Sequence, residues 1–176
     1  MKIGLCGTMS VGKTTLVKAL QELDYFKGYN FRTERSKELM AMGIPLNTDS
    51  TLKGQTVFLA ERATELMQEN IITDRTVIDV MAFAQASKSM DWTDKEAFYT
   101  YAIRLIREYD YIFYVSPEGV EIEDNGIRET DAEYRNEIDI IIRHILSQQK
   151  HRIKNYDVIE GSTEERVHQI INSIEL

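Results

Sequence analysis

Short apolar runs alternate with longer stretches of helical period along this chain of 176 residues. The short runs lie at Lys2–Cys6, Tyr29–Arg32, Ile71–Asp74, Tyr111–Val115 and Asp157–Glu160. They have the length of strands and the apolar content of short buried runs. Leu52, Phe58, Leu59, Ala63, Leu66 and Met67 form a stripe that predicts a helix within Thr51–Asn70. Glu34–Met42 predicts a shorter helix ending at Gly43, followed by a loop over Ile44–Ser50. Three further helices carry capping-box signatures: Thr93 with Glu96 (running to Tyr109), Thr130 with Glu133 (to Gln149) and Ser162 with Glu165 (to Ile174). Strands alternating with helices predict βαβ units and a parallel sheet. Only two prolines and no Ser/Gly-rich linker interrupt the pattern, so residues 1–176 read as one domain without internal repeats.

One junction in this pattern carries chemistry. Gly7-Thr8-Met9-Ser10-Val11-Gly12-Lys13-Thr14 is a complete G-x-x-x-x-G-K-[ST] phosphate-binding loop. It follows the first strand and opens into the helical stretch Thr15–Leu20. Glycines let backbone N–H groups turn toward an anion, and the helix N-terminus adds partial positive charge. The binding positions are therefore Gly7, Ser10, Val11, Gly12, Lys13, Thr14 and Thr15. Lys13 is expected to reach the β- and γ-phosphates, and the Thr14 hydroxyl to help hold Mg²⁺. The motif implies a nucleoside triphosphate ligand.

Asp74-Arg75 ends the third strand, at the sheet edge where open α/β folds bind ligands. A carboxylate there can complete a Mg²⁺ shell or accept a proton from an attacking hydroxyl, and Arg75 can grip phosphate. Glu34, just past the second strand, is a second candidate to orient or deprotonate an acceptor. After the fourth strand, Gly119 and Gly126 flank an acidic loop that leads to Arg128 and Arg135. Arginines on such a segment, about 117–136, can act as a lid that neutralises a transferred phosphate. Arg32, Arg35 and Arg62 read as surface or substrate-edge residues.

Composition narrows the ligand. With 21 Lys plus Arg against 29 Asp plus Glu, net charge is −8. No basic cluster offers a polynucleotide face, so a small phosphorylated ligand is favoured over nucleic acid. No apolar run has the ~20 residues of a membrane span, and Met1-Lys2 leads directly into a strand without a signal peptide. The lone Cys6 reads as a small buried strand residue in a reducing cytoplasm. His144, His151 and His168 lack zinc-ligand spacing and read as surface residues. Met40, Met42, Met67, Met81 and Met90 read as core fillers, and Tyr111 and Tyr114 as core or edge residues.

The layout resembles the nucleoside and nucleotide kinase group of P-loop proteins across nearly the whole chain. "TERSKELMAMGIP" and "DNGIRETDAEYR" are similar to small kinase-type domains related to ribosylnicotinamide kinase. "GQTVFLAER" and "ITDRTVIDVMAFA" look more like deoxynucleoside and thymidylate kinases, although Asp-Arg-Thr stands where Glu-Arg-Ser is common. The resemblance implies a three-layer α/β P-loop NTPase fold, a five-stranded parallel sheet in order 2-3-1-4-5, and a helical lid. It implies ATP and Mg²⁺ as cofactors and a nucleoside or nucleotide as acceptor, and leaves room for a homodimer. It places Glu34 opposite the acceptor hydroxyl, Gln55 where a base is read with Phe58 and Arg62 beside it, Arg128 and Arg135 in the lid, and Gly161-Ser162 near adenine. A kinase acting on a nucleic-acid hydroxyl and a regulatory NTP-binding module remain the alternatives.

Overall fold

The computed structural model describes residues 1–33, 35–119 and 132–175. Its strands are β1 (Lys2–Cys6), β2 (Asn30–Arg32), β3 (Ile71–Asp74), β4 (Tyr111–Val115) and β5 (Tyr156–Ile159). All pairings are parallel and the order is β2-β3-β1-β4-β5, as the resemblance implies. The helices are α1 (Lys13–Gln21), α2 (Ser36–Ala41), α3 (Leu52–Glu65), α4 (Val77–Ala86), α5 (Trp92–Leu105), α6 (Ala132–Gln148) and α7 (Thr163–Glu175).

Side chains alternate across a strand, and here both sides are apolar. Ile3 and Leu5 of β1 join Phe113 of β4 against Leu16, Val17 and Leu20 of α1 and Ile170 of α7. Cys6, Ile112 and Tyr114 face the other way, into a core with Leu59 of α3, Met81 of α4, Phe98 of α5 and Ile142 of α6. Two helices cover one face and four the other, which makes three layers. Gly4 marks where α4 reaches closest to the sheet. A Cβ there would collide with the Thr76 methyl and lie 2.8 Å from the Tyr109 ring. The buried Tyr109 hydroxyl accepts the Val77 N–H at 3.2 Å, tying the start of α4 to the far end of α5.

Several details differ from expectation. No helix was expected after β3, yet α4 begins within three residues. It is buried nearly all round, so it shows no polar face and no amphipathic period. Helix α5 is capped by Asp91, whose side chain accepts the Asp94 N–H at 2.8 Å, and not by Thr93. For α6 the Thr130 half of the expected capping box lies outside the described residues, whereas Ser162 and Glu165 of α7 form theirs, with bonds of 2.7 and 3.2 Å. Met81 and Met90 are buried, but Met40, Met42 and Met67 are exposed, because α2 is a short surface helix with only Leu39 buried and α3 ends before Met67. No helix of the described residues is long and apolar enough to cross a membrane.

Helix α3 is not the apolar stripe its sequence suggests. Leu52 and Met67 are exposed, and the buried face carries Gln55, Arg62 and Glu65 beside Leu59. Arg62 donates to Glu65 Oε1 at 2.7 Å and to the Asp74 carbonyl at 3.2 Å. Burial pushes the Glu65 carboxyl up to about 7; Glu61 and Asp74 add to the shift, while Arg62 and Arg32 oppose it. A carboxyl whose folded pKa exceeds its unfolded value of ~4.3 holds its proton more tightly in the native state. The stabilisation is complete below that unfolded value and is lost as pH rises through about 7. Glu65→Gln keeps the bond to Arg62 but cannot ionise. Between pH 4.5 and 7.5 the melting temperature of the unmodified protein should fall by several degrees relative to this variant, on the order of 2 kcal/mol. Parallel thermal-unfolding curves across that range would count against the assignment.

Candidate functional site

The phosphate loop leaves β1 through backbone conformations that few residues adopt. Gly7 has φ +151°, and a Cβ there would stand 2.7 Å from the Val115 carbonyl. Ser10 and Gly12 follow at φ +57° and +85°, in the left-handed region whose alternation turns successive N–H groups toward one anion. Among the described residues no side chain caps α1 and no acid occupies its first turn. Its positive end is thus left to a ligand. Val11 is buried and Thr15 exposed, on either side of that end. The Lys13 ammonium donates to the carbonyls of Gly7 and Thr8 at 2.6 and 2.7 Å. Burial and then the neighbouring Arg75 charge bring its pKa down to about 8, against the pull of Asp79 and Asp74.

The end of β3 meets the loop through register. Leu5 pairs with Asp74, so the Asp74 carboxylate emerges beside the start of α1. Thr14 Oγ1 donates to Asp74 Oδ2. Two hard oxygens therefore converge where the motif places Mg²⁺. Among the described residues no group of three or more His, Cys, Asp or Glu could hold a metal by itself. Arg75 follows at φ +87°. A non-glycine residue in this region is strained, and such strain collects at functional sites. Its guanidinium lies 4.9 Å from the centre of the Phe83 ring, a cation–π contact.

Beside these residues a pocket of about 400 Å³, part of it open to solvent, is lined by Ser36, Leu46, Asn47, Gln55, Phe58, Arg75, Val80 and Phe83. Gln55 and Phe58 thus share a cavity with Arg75. Arg62 lies on the same buried face of α3 but is turned to Glu65 and to the Asp74 backbone, outside that lining. Arg32 and Arg35 are exposed; Arg35 pairs with Glu38 and Glu61. Glu34 and Arg128 lie outside the described residues, as do Gly126 and most of the expected lid. Arg135, in the described part of that segment, lies on the first turn of α6. Its Nε donates to the Met9 carbonyl at 3.2 Å, and its own carbonyl accepts the Thr8 hydroxyl at 2.9 Å.

Two residues that the sequence reading did not single out bracket the loop. Asp79 is fully buried. One of its oxygens accepts the Gly7 N–H at 3.1 Å, and the other accepts Thr76 N–H and hydroxyl at 2.7 and 2.9 Å. The signal for it was Thr76-x-x-Asp79, a capping box hidden in an apolar run. On the opposite flank Arg166 of α7 donates to the carbonyls of Val11 (2.6 Å) and Ser116 (3.3 Å). Nothing in its local sequence sets it apart from a helix-surface arginine.

Comparison with known proteins agrees with this architecture. A family described as an AAA domain matches residues 2–166. Deoxyadenosine kinase from M. mycoides with bound dCTP superposes at a TM-score of 0.72 with 19% identity, over 99% of each chain. The NadR protein in complex with NR superposes at 0.74 with 18% identity, over 98% of this chain and 50% of that one. YorR from Bacillus subtilis, in complex with phosphorylated GDP, gives 0.58 with 17% identity, over 99% and 95%. No curated protein matches in a sequence comparison. At these identities the structural likeness speaks for the fold. Matched from β1 to the first turn of α7, the chain belongs to the AAA domain family and carries the sheet order and phosphate loop of the P-loop kinase fold.

Proposed function

We propose that residues 1–176 form one ATP-dependent kinase unit that transfers the γ-phosphoryl group to a nucleoside or nucleotide. The observation that carries this reading is the meeting of Thr14 with Asp74 beside a pocket that Arg75, Gln55 and Phe58 line together. A phosphate site and a partly open pocket then adjoin, with a cation on their shared wall. The deoxyadenosine kinase of the same fold, bound to dCTP in one structure and to dATP in another, supports the choice of ligand class.

In this reading the loop amides and Lys13 bind the β- and γ-phosphates, and Lys13 exchanges its two loop carbonyls for phosphate oxygens. Thr14 and Asp74 hold the Mg²⁺ shell; Mg²⁺ when bound supplies charge neutralisation across the phosphates. Gln55 and Phe58 orient the acceptor in the pocket. The acceptor oxygen bonds to the γ-phosphorus as the bond to the ADP oxygen breaks. If the acceptor is a hydroxyl, its proton passes to Glu34 or Asp74. Arg75, Arg128 and Arg135 offset the charge that develops on the transferred group. The reading is tested by measuring ATP consumption against nucleosides, nucleotides, nicotinamide riboside and short DNA. Turnover with DNA alone, or with water alone, overturns it.

On the acceptor that this screen identifies, Lys13→Ala should lower kcat/KM by at least ~10²-fold with an unchanged circular dichroism spectrum, because the side chain binds charge and fills no core. Asp74→Asn preserves shape and removes charge, so kcat should drop by roughly 10² at saturating Mg²⁺; a change below about threefold would leave Asp74 a structural residue. For the lid, Arg135→Ala should lower kcat more than it weakens ATP binding. Amide exchange over residues 117–136 should slow only with ATP and acceptor together. Ligand-independent exchange with normal kinetics in Arg135→Ala would remove the lid from the mechanism.

A further inference from the structure

Arg166 is 4% exposed, although it sits in the first turn of a surface helix. Its recorded partners are two backbone carbonyls, those of Val11 and Ser116. Its Nε has no hydrogen-bond partner, and no carboxylate among the described residues forms an ion pair with it. The neighbouring Glu165 carboxylate is turned to the Ser162 N–H at 2.7 Å. The other arginine buried to this degree among the described residues, Arg62, is paired with Glu65. Burial holds the Arg166 guanidinium below its ordinary pKa, and no carboxylate of the described residues contributes to the shift. A buried cation with no counter-ion among the described residues burdens the fold around it, and the negative charge of a ligand would relieve that burden.

The position names that charge. Nη1 lies 2.6 Å from the Val11 carbonyl oxygen and 3.3 Å from where a Gly12 Cβ would stand. No peptide bond in the described chain is cis. In a trans peptide the N–H points opposite to the C=O, so the Gly12 N–H faces away from Arg166, toward the ligand side of the loop. The cation therefore sits at the negative end of a peptide dipole whose positive end meets the anion. A hydrogen bond at each end of one peptide group strengthens both.

We propose that Arg166 is a nucleotide-binding residue, its buried charge balanced through the Val11–Gly12 peptide by the polyphosphate chain seated on the loop. The inference rests on the phosphate-loop reading above. Charge to charge, the separation is about 8 Å across the peptide. At that range, in a partly buried setting, several phosphate charges together amount to tenfold or more in affinity.

The test is calorimetric titration of the full chain with ATP, tripolyphosphate and adenosine, alongside thermal unfolding of the ligand-free protein. Arg166→Gln should weaken ATP and tripolyphosphate by about tenfold or more, leave adenosine unchanged, and leave the melting temperature equal or higher. Arg166→Lys, which keeps the charge, should stay within about threefold of the unmodified protein for ATP. Unchanged ATP affinity in Arg166→Gln, or an equal loss for adenosine, overturns the proposal and assigns the side chain to packing alone. If Arg166→Gln does not fold, Arg166→Lys decides: retained ATP affinity supports the proposal, and a tenfold loss overturns it. An unmodified protein that binds neither ATP nor tripolyphosphate overturns the phosphate-loop reading itself, a result distinct from binding that ignores Arg166.

Discussion

The Asp79 carboxylate is the joint on which this site turns. It is fully buried, and both oxygens are spent on groups that belong to different parts of the fold. One holds the first N–H of the phosphate loop; the other holds the cap of α4, directly after the strained Arg75. A buried carboxylate is costly unless its oxygens are filled with donors, and here three donors fill them. The arrangement makes the loop and the Asp74–Arg75 turn one rigid object, which is what a site needs if Thr14 and Asp74 are to meet at a fixed distance. Close packing follows from the same joint. With Thr76 drawn onto β1, position 4 has room for glycine only.

A second constraint concerns polar groups under the site. Helix α3 buries Gln55, Arg62 and Glu65 on the face that a soluble helix ordinarily makes apolar. Each has a separate use of space. Gln55 opens into the pocket, whereas Arg62 and Glu65 lie beneath β3, with the guanidinium on the Asp74 carbonyl. Pairing offsets only part of the burial penalty, as the raised Glu65 carboxyl shows. It also supports the strand end that presents Asp74. The fold therefore departs from an all-apolar core around the candidate site, the place where such departures are expected.

Sequence by itself determined the parts whose chemistry is local. The phosphate loop follows from eight consecutive residues, and the three central strands from short apolar runs, because a strand buried on both faces needs no partner to reveal it. The Ser162 cap was legible for the same reason: a capping side chain bonds within four residues of itself. Composition correctly marked Cys6 as buried and the histidines as exposed.

What spans the chain was decided only by the tertiary structure. Asp79 meets Gly7 across 72 positions and Arg166 meets Val11 across 155, and no periodicity encodes such distances. Helix α4 escaped notice because burial on every side erases the contrast between faces that makes a helix readable. The apolar stripe of α3 misled in the opposite direction, since its true inner face is defined by a pocket and an ion pair, and hydrophobicity records neither. Met42 and Met67 are as apolar as Met81; only the end of a helix, set by where the neighbouring elements stop, put them outside. Local rules name the pieces, while the packing of α4 and α7 on either flank of the loop decides which charges face one another.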